Sequence, residues 1–190
     1  LNLKEFEYLS DRYENSYSEY QQQLETDFFT SYLKKVNKIS KTNMTIYDKC
    51  LKHLCESYLK GLNYKLDLIP MTPQENEITY IVESAAGNGS YSFKNKSSYT
   101  TFLKKMDVFP EICDSIILKF KKGIKENYVL PKMIAIKLRD QLKDVLKHKS
   151  YENKKAHTKF NVELSRIFVP NIKKLIDFLN NEYIPKCRKS

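Results

Sequence analysis

Phe109-Pro110-Glu111-Ile112-Cys113-Asp114-Ser115-Ile116-Ile117-Leu118-Lys119-Phe120-Lys121-Lys122-Gly123-Ile124 is the stretch on which the fold turns. Pro110 stands where a first-turn proline belongs, because its missing N–H has no intrahelical partner there anyway. Ile112, Ile116, Ile117, Phe120 and Ile124 then recur at steps of three, four and one, which predicts a helix with one apolar face. The pattern repeats at once. Pro131 opens a second helix with Ile134, Leu138, Leu142 and Val145 or Leu146 on one side.

The same reading extends outward. Phe6, Leu9, Tyr13, Tyr17, Tyr20, Leu24 and Phe28 predict an aromatic-faced first helix, read as a packing face. The polar run Asn37 to Asn43 predicts a loop, with Thr42 or Asn43 capping the next helix. Ile46, Cys50, Leu51, Leu54, Tyr58 and Leu62 predict that helix from Thr45 to about Leu66. Pro70 and Pro73 then interrupt helical structure. Residues 68–97 are expected to be an irregular loop, with Ala85 to Ser90 as a flexible hub and a short strand at Ile78 to Val82. Ser97 is expected to cap a helix over Tyr99, Phe102, Leu103 and Met106. Lys147 to Thr158 reads as loop, and a last long helix runs from Phe160 to Leu179, kinked or divided by Pro170.

Composition agrees with this helical pattern. Hydrophobic residues make up 41% and charged residues 29% of 190 residues, with only 4 Gly and 6 Pro, and alternating valine-rich segments are scarce. The expectation is an all-α, mostly helical protein, with 1–190 a single helical region that forms the N-terminal part of a larger domain. The net charge of +10 comes from lysine pairs such as Lys34-Lys35, Lys104-Lys105 and Lys173-Lys174; arginines are few. Nucleic-acid interfaces lean on arginine forks, so these pairs read as solvated helix faces and no nucleic-acid partner is expected. No apolar run is long enough to span a bilayer and no signal-peptide core is present. The first residue is Leu, which points to a fragment or a proteolytically processed product.

The search for chemistry finds little. Cys50, Cys55, Cys113 and Cys187 lack zinc-site spacing; a helical Cys50–His53 pair is geometrically allowed, but buried free thiols are the simpler reading. His53, His148 and His157 are far apart and no His-Glu-x-x-His occurs. Gly87-x-Gly89 lacks the third glycine and the lysine of a phosphate loop. Asn43-Met44-Thr45, Asn88-Gly89-Ser90 and Asn95-Lys96-Ser97 fit the glycosylation acceptor pattern, which chance produces in an Asn-rich chain. No catalytic, cofactor-binding or metal-binding residue is expected, and substrate-binding residues are undetermined.

One ordered set of short motifs remains. Leu68-Ile69-Pro70, Phe93, Tyr99, Leu103, Phe109-Pro110, Gly123-Ile124, Leu130-Pro131-Lys132 and Gln141-Leu142 are followed by Val169-Pro170, Leu175, Phe178-Leu179, Glu182-Tyr183, Pro185 and Arg188. In order and spacing this set resembles the domain of unknown function family 885, whose members look like helical zinc carboxypeptidase-like metallopeptidases. Lys104 and Lys105 stand where the family has arginine, and Asn171-Ile172 where Ala-Tyr is common. The resemblance implies an N-terminal, non-catalytic portion that walls a peptide-substrate cleft. It places the histidine–glutamate motif and its zinc on a C-terminal partner chain or fragment of the same precursor. A processed hetero-oligomer in a secretory or vacuolar compartment is the corresponding expectation. The alternative is a helical protein-interaction module with no enzymatic activity.

Overall fold

A computed structural model describes residues 15–74, 76–89 and 91–189. It is all-α. The helices are α1 (Glu19–Val36), α2 (Ile46–Asn63), α3 (Glu77–Ala86), α4 (Lys96–Lys105), α5 (Phe109–Lys125), α6 (Lys132–Lys147) and α7 (Thr158–Phe178). A π-turn (Leu179–Tyr183) and a 3-10 turn (Ile184–Lys186) come after α7. No strand is present among the described residues; the one β-type contact is an isolated parallel bridge between Pro131 and Arg188. The part of the first predicted helix that carries Phe6, Leu9 and Tyr13 lies outside the described residues.

Helices α5 and α7 form the axis of the body, against which α4 and α6 pack. Ile112, Ile116 and Phe120 are fully buried, as the sequence pattern predicts, and so are Ala135 and Leu138 on α6. Phe109 meets Phe168 across the α5–α7 seam with ring centroids 4.6 Å apart, and Phe120 meets Tyr183 at 4.4 Å. At the α4 end, Tyr91, Phe93, Tyr99, Phe102 and Phe160 build one cluster of edge and stacked contacts. These rings fix the connection between α3 and α4, which carries Tyr91 and Phe93, onto the core.

Several expectations need correction. Ile78 to Val82 is helical, the middle of α3, and residues 68–97 are not one irregular loop. Buried Ile78, Ile81, Val82 and Ala85 keep the helical spacing of three, four and seven, which the β-branched composition obscures. The Asn76 side chain starts this helix by accepting from Thr79 N at 2.7 Å. Gly87 ends it in the left-handed region at φ 83°, a conformation that glycine adopts without a Cβ penalty. The cap of α4 is Asn95 and not Ser97, since Asn95 and Ser98 exchange hydrogen bonds as a capping box. Thr45 and Asp48 do the same for α2, in place of Thr42 or Asn43. Pro170 lies within one continuous helix on its exposed side, so it does not divide α7.

The α1–α2 hairpin stands apart from this core. Ile46 and Leu54, two of the apolar residues whose spacing predicts α2, are 80% and 50% exposed. The reason is the absence of a third element on that face among the described residues.

Candidate functional site

The motif segments that are far apart in sequence come together in space. Tyr183 is fully buried, and its hydroxyl accepts from Leu130 N at 3.0 Å. Lys132 N donates to Arg188 O at 3.1 Å beside the Pro131–Arg188 bridge. Leu130-Pro131-Lys132 and Tyr183-to-Arg188 therefore form a single clasp. The leading motif joins the same frame through Gly123. A Cβ there would lie 2.6 Å from Tyr128 O and 3.0 Å from Leu68 O, so the Leu68 backbone packs directly on α5 only because residue 123 has no side chain.

Among the clefts in the surface, two gather polar and aromatic side chains. The larger, about 740 Å³, lies between the C-terminal end of α3 and the 148–155 connection. Tyr91, Phe93 and Tyr99 supply aromatic surfaces, while Lys154 and Lys155 stand exposed at its edge. Asn153, 3% exposed, sits beneath it. Its side-chain oxygen accepts from Lys155 N at 3.0 Å, and its backbone exchanges two hydrogen bonds with the Asn161 side chain. The polar 148–155 segment thus behaves as a folded loop, as its composition suggests, with an ordered floor that the sequence alone does not reveal. The cleft combines aromatic faces with hydrogen-bonding edges, a surface suited to a polar extended ligand.

The smaller cleft, about 440 Å³, opens at the base of the hairpin. Lys119 is only 9% exposed and donates to Gln22 Oε1 at 3.2 Å. Gln22 Nε2 in turn donates to Asp67 at 3.1 Å, and Tyr58 OH donates to Glu25 at 2.9 Å. Burial lowers the Lys119 pKa, and the carboxylates of Asp67 and Glu25 oppose that shift. Burial, aided by Glu25, pushes the Tyr58 phenol up to about 12. Nearby, Ser16 donates to Glu77 at 2.6 Å, and desolvation raises the Glu77 carboxyl above the usual range. Sequence periodicity could not anticipate this network, because Lys119 reads there as a polar position on an amphipathic helix.

The residues weighed for metal or nucleophilic chemistry do not converge. Among the described residues, no three side chains of His, Cys, Asp and Glu come together as a metal site. His157 caps α7, its Nδ1 accepting from Phe160 N, and His148 closes α6. All four cysteines are free thiols; Cys55, Cys113 and Cys187 are buried, and desolvation raises each thiol, Cys113 to about 12. That direction opposes thiolate formation. Cys50 and His53 are both exposed on α2. Of the acceptor asparagines, Asn95 is engaged as a helix cap, while Asn43 and Asn88 are exposed. Lys105 places its ammonium 5.7 Å from the Tyr91 ring centroid. Comparison with known proteins finds no family model, no curated relative and no solved structure that matches the chain.

Proposed function

We propose that this chain is the N-terminal, non-catalytic helical part of a zinc metallopeptidase-like protein, forming one wall of a peptide-substrate cleft. The carrying observation is the convergence of the resembling motifs: Leu68 rests on Gly123, and Leu130-Pro131-Lys132 clasps Tyr183-to-Arg188. A set of motifs spaced this widely serves one packing frame, which supports reading them together and not as separate helix boundaries. The aromatic and polar cleft beside Asn153 supplies a surface for an extended peptide. Zinc and its histidine–glutamate motif belong, in this reading, to a C-terminal segment or partner chain. His53, His148 and His157 of this chain do not gather the donors for it among the described residues, so no step is assigned to them.

The test is isolation of the native protein under non-denaturing conditions, with intact mass, metal content and peptide hydrolysis measured together. The expected result is covalent or non-covalent association with a polypeptide that carries His-Glu-x-x-His and stoichiometric zinc, with chelator-sensitive hydrolysis. An isolated 22.5 kDa species without companion, zinc or hydrolysis overturns the proposal. A second reading, a helical interaction module without enzymatic activity, is favoured by the exposed Tyr20, Leu24, Ile46 and Tyr47 of the hairpin. Association with a companion that lacks any zinc motif selects it.

A further inference from the structure

One stretch of the chain is dense in lysine and lies at one end of the fold. Residues 33–53 carry Lys34, Lys35, Lys38, Lys41, Lys49 and Lys52 against a single acid, Asp48, and so hold half of the chain's net charge of +10. They make up the far end of the α1–α2 hairpin. Each helix has 18 residues and is about 27 Å long. The ties to the body, Asn15 donating to Glu111 O and Ser115 Oγ, Ser16 to Glu77, Lys119 to Gln22, and Gln22 to Asp67, all sit at the near end.

The charges at the far end are largely free. Lys34, Lys38, Lys41 and Lys49 form no ion pair with a described residue, whereas Lys52 pairs with Glu56. Asp48 is the single acid among them, and its carboxylate accepts from both Thr45 N and Thr45 Oγ1 in the helix cap. Apolar side chains lie among these lysines. Ile46 and Tyr47, 80% and 62% exposed, open α2, and Cys50 and Leu54 continue the same face at helical spacing. The far end is the turn of the hairpin, residues 37–45, with the last residues of α1 and the first of α2 on either side, so its lysines and its exposed Ile46 and Tyr47 share one end of the fold.

We propose that the far end of the hairpin is a peripheral contact for an anionic lipid surface. Clustered lysines are drawn to acidic headgroups, and an exposed Ile-Tyr pair beside them enters the headgroup–acyl boundary. Each signal alone is weak; together they give reversible attachment. The contact is superficial, since no helix among the described residues is long and apolar enough to cross a membrane.

The experiment is vesicle flotation of the intact chain with phosphatidylcholine vesicles and with vesicles containing phosphatidylserine as well. The expected result is recovery with the serine-lipid vesicles alone, lost at high salt. Ile46→Asp with Tyr47→Asp should weaken recovery about tenfold or more, as burial of such groups governs partitioning. Lys38→Glu, Lys41→Glu and Lys49→Glu together should abolish it. Lys137→Glu, Lys143→Glu and Lys147→Glu on α6 make the same change in net charge away from the hairpin and should leave most of the binding intact. Circular dichroism and a melting curve confirm that each variant is folded. Absence of flotation, or an equal loss in the α6 variant, overturns the proposal. So does preferential binding of a soluble glutamate-rich amphipathic peptide without flotation, which would assign the tip to an acidic protein.

Discussion

The body and the hairpin are held by different forces. The body closes around Phe102, Phe109, Phe120, Phe160, Phe168 and Tyr183, all at most 1% exposed, in one continuous apolar cluster. No described residue of α1 or α2 belongs to that cluster; on these helices Val36 and Cys55 are the buried apolar residues. The hairpin is instead fastened at its base by directional polar contacts, among them Lys119–Gln22–Asp67, with the Lys122–Glu19 and Lys65–Glu126 ion pairs at the rim. Apolar burial is insensitive to pH and salt in the physiological range, whereas a polar fastening titrates and is screened. The difference teaches that one chain contains a rigid frame and a more labile arm.

Phe160→Ala should give the largest effect, a loss of about 3–5 kcal/mol in global stability, because it empties the centre of the aromatic cluster. Urea unfolding checks this; a change below about 1 kcal/mol would break the view of the body as a single packed core. Tyr183→Phe keeps the ring but leaves Leu130 N without its acceptor in a buried setting, at a cost of about 1–3 kcal/mol. Full retention of the unfolding midpoint would show that the clasp is not a determinant of the frame. Thr45→Ala removes the capping box of α2 and should cost about 1 kcal/mol. Hydrogen exchange should show it as faster exchange in the first turns of α2 with the body unchanged. Equal loss of protection in α5 and α7 would erase the distinction between arm and frame.

The smallest expected effect is a pH signature. Desolvation raises the folded-state pKa of Glu77, so the fold favours its protonated form. That contribution to stability is fully present below the ordinary carboxylate pKa and is lost as pH rises through the raised one. Glu77→Gln should therefore stabilise the protein slightly at neutral pH and match the wild type in acid. Denaturant midpoints at the two pH values test this, and a wild-type advantage at neutral pH would contradict it.

The sequence made the body legible because its rules are local. Pro110 and Pro131 mark helix starts, and the buried positions of α5 and α6 match their apolar spacing. The strand expected at Ile78 to Val82 failed where β-branched composition outweighed period and the Asn76 cap. The helix that Ile46 and Leu54 predict is present, yet both are exposed, because periodicity defines a face but cannot say whether anything covers it. The clefts were not legible. One pairs the end of α3 with the 148–155 loop, and the other gathers Gln22, Tyr58, Asp67 and Lys119 from four separate segments. Nothing local in the sequence encodes such meetings. The lysines of residues 33–53, by contrast, are dense in the sequence itself, and the turn between α1 and α2 puts them at one end of the fold.

The clasp between Leu130-Pro131-Lys132 and Tyr183-to-Arg188 also sets an order of events. Its two halves flank the whole of α6 and α7, so it is a contact of long sequence separation that rewards the chain only after a large loop has closed. On a ribosome, the groove that receives Tyr183 stays open while α5, α6 and most of α7 have already emerged. Apolar surface on Phe120 and Phe178 waits there for one ring. The body is thus most exposed to misassociation after α7 has formed and before Tyr183 is seated, and Tyr183 is the residue whose arrival ends that interval.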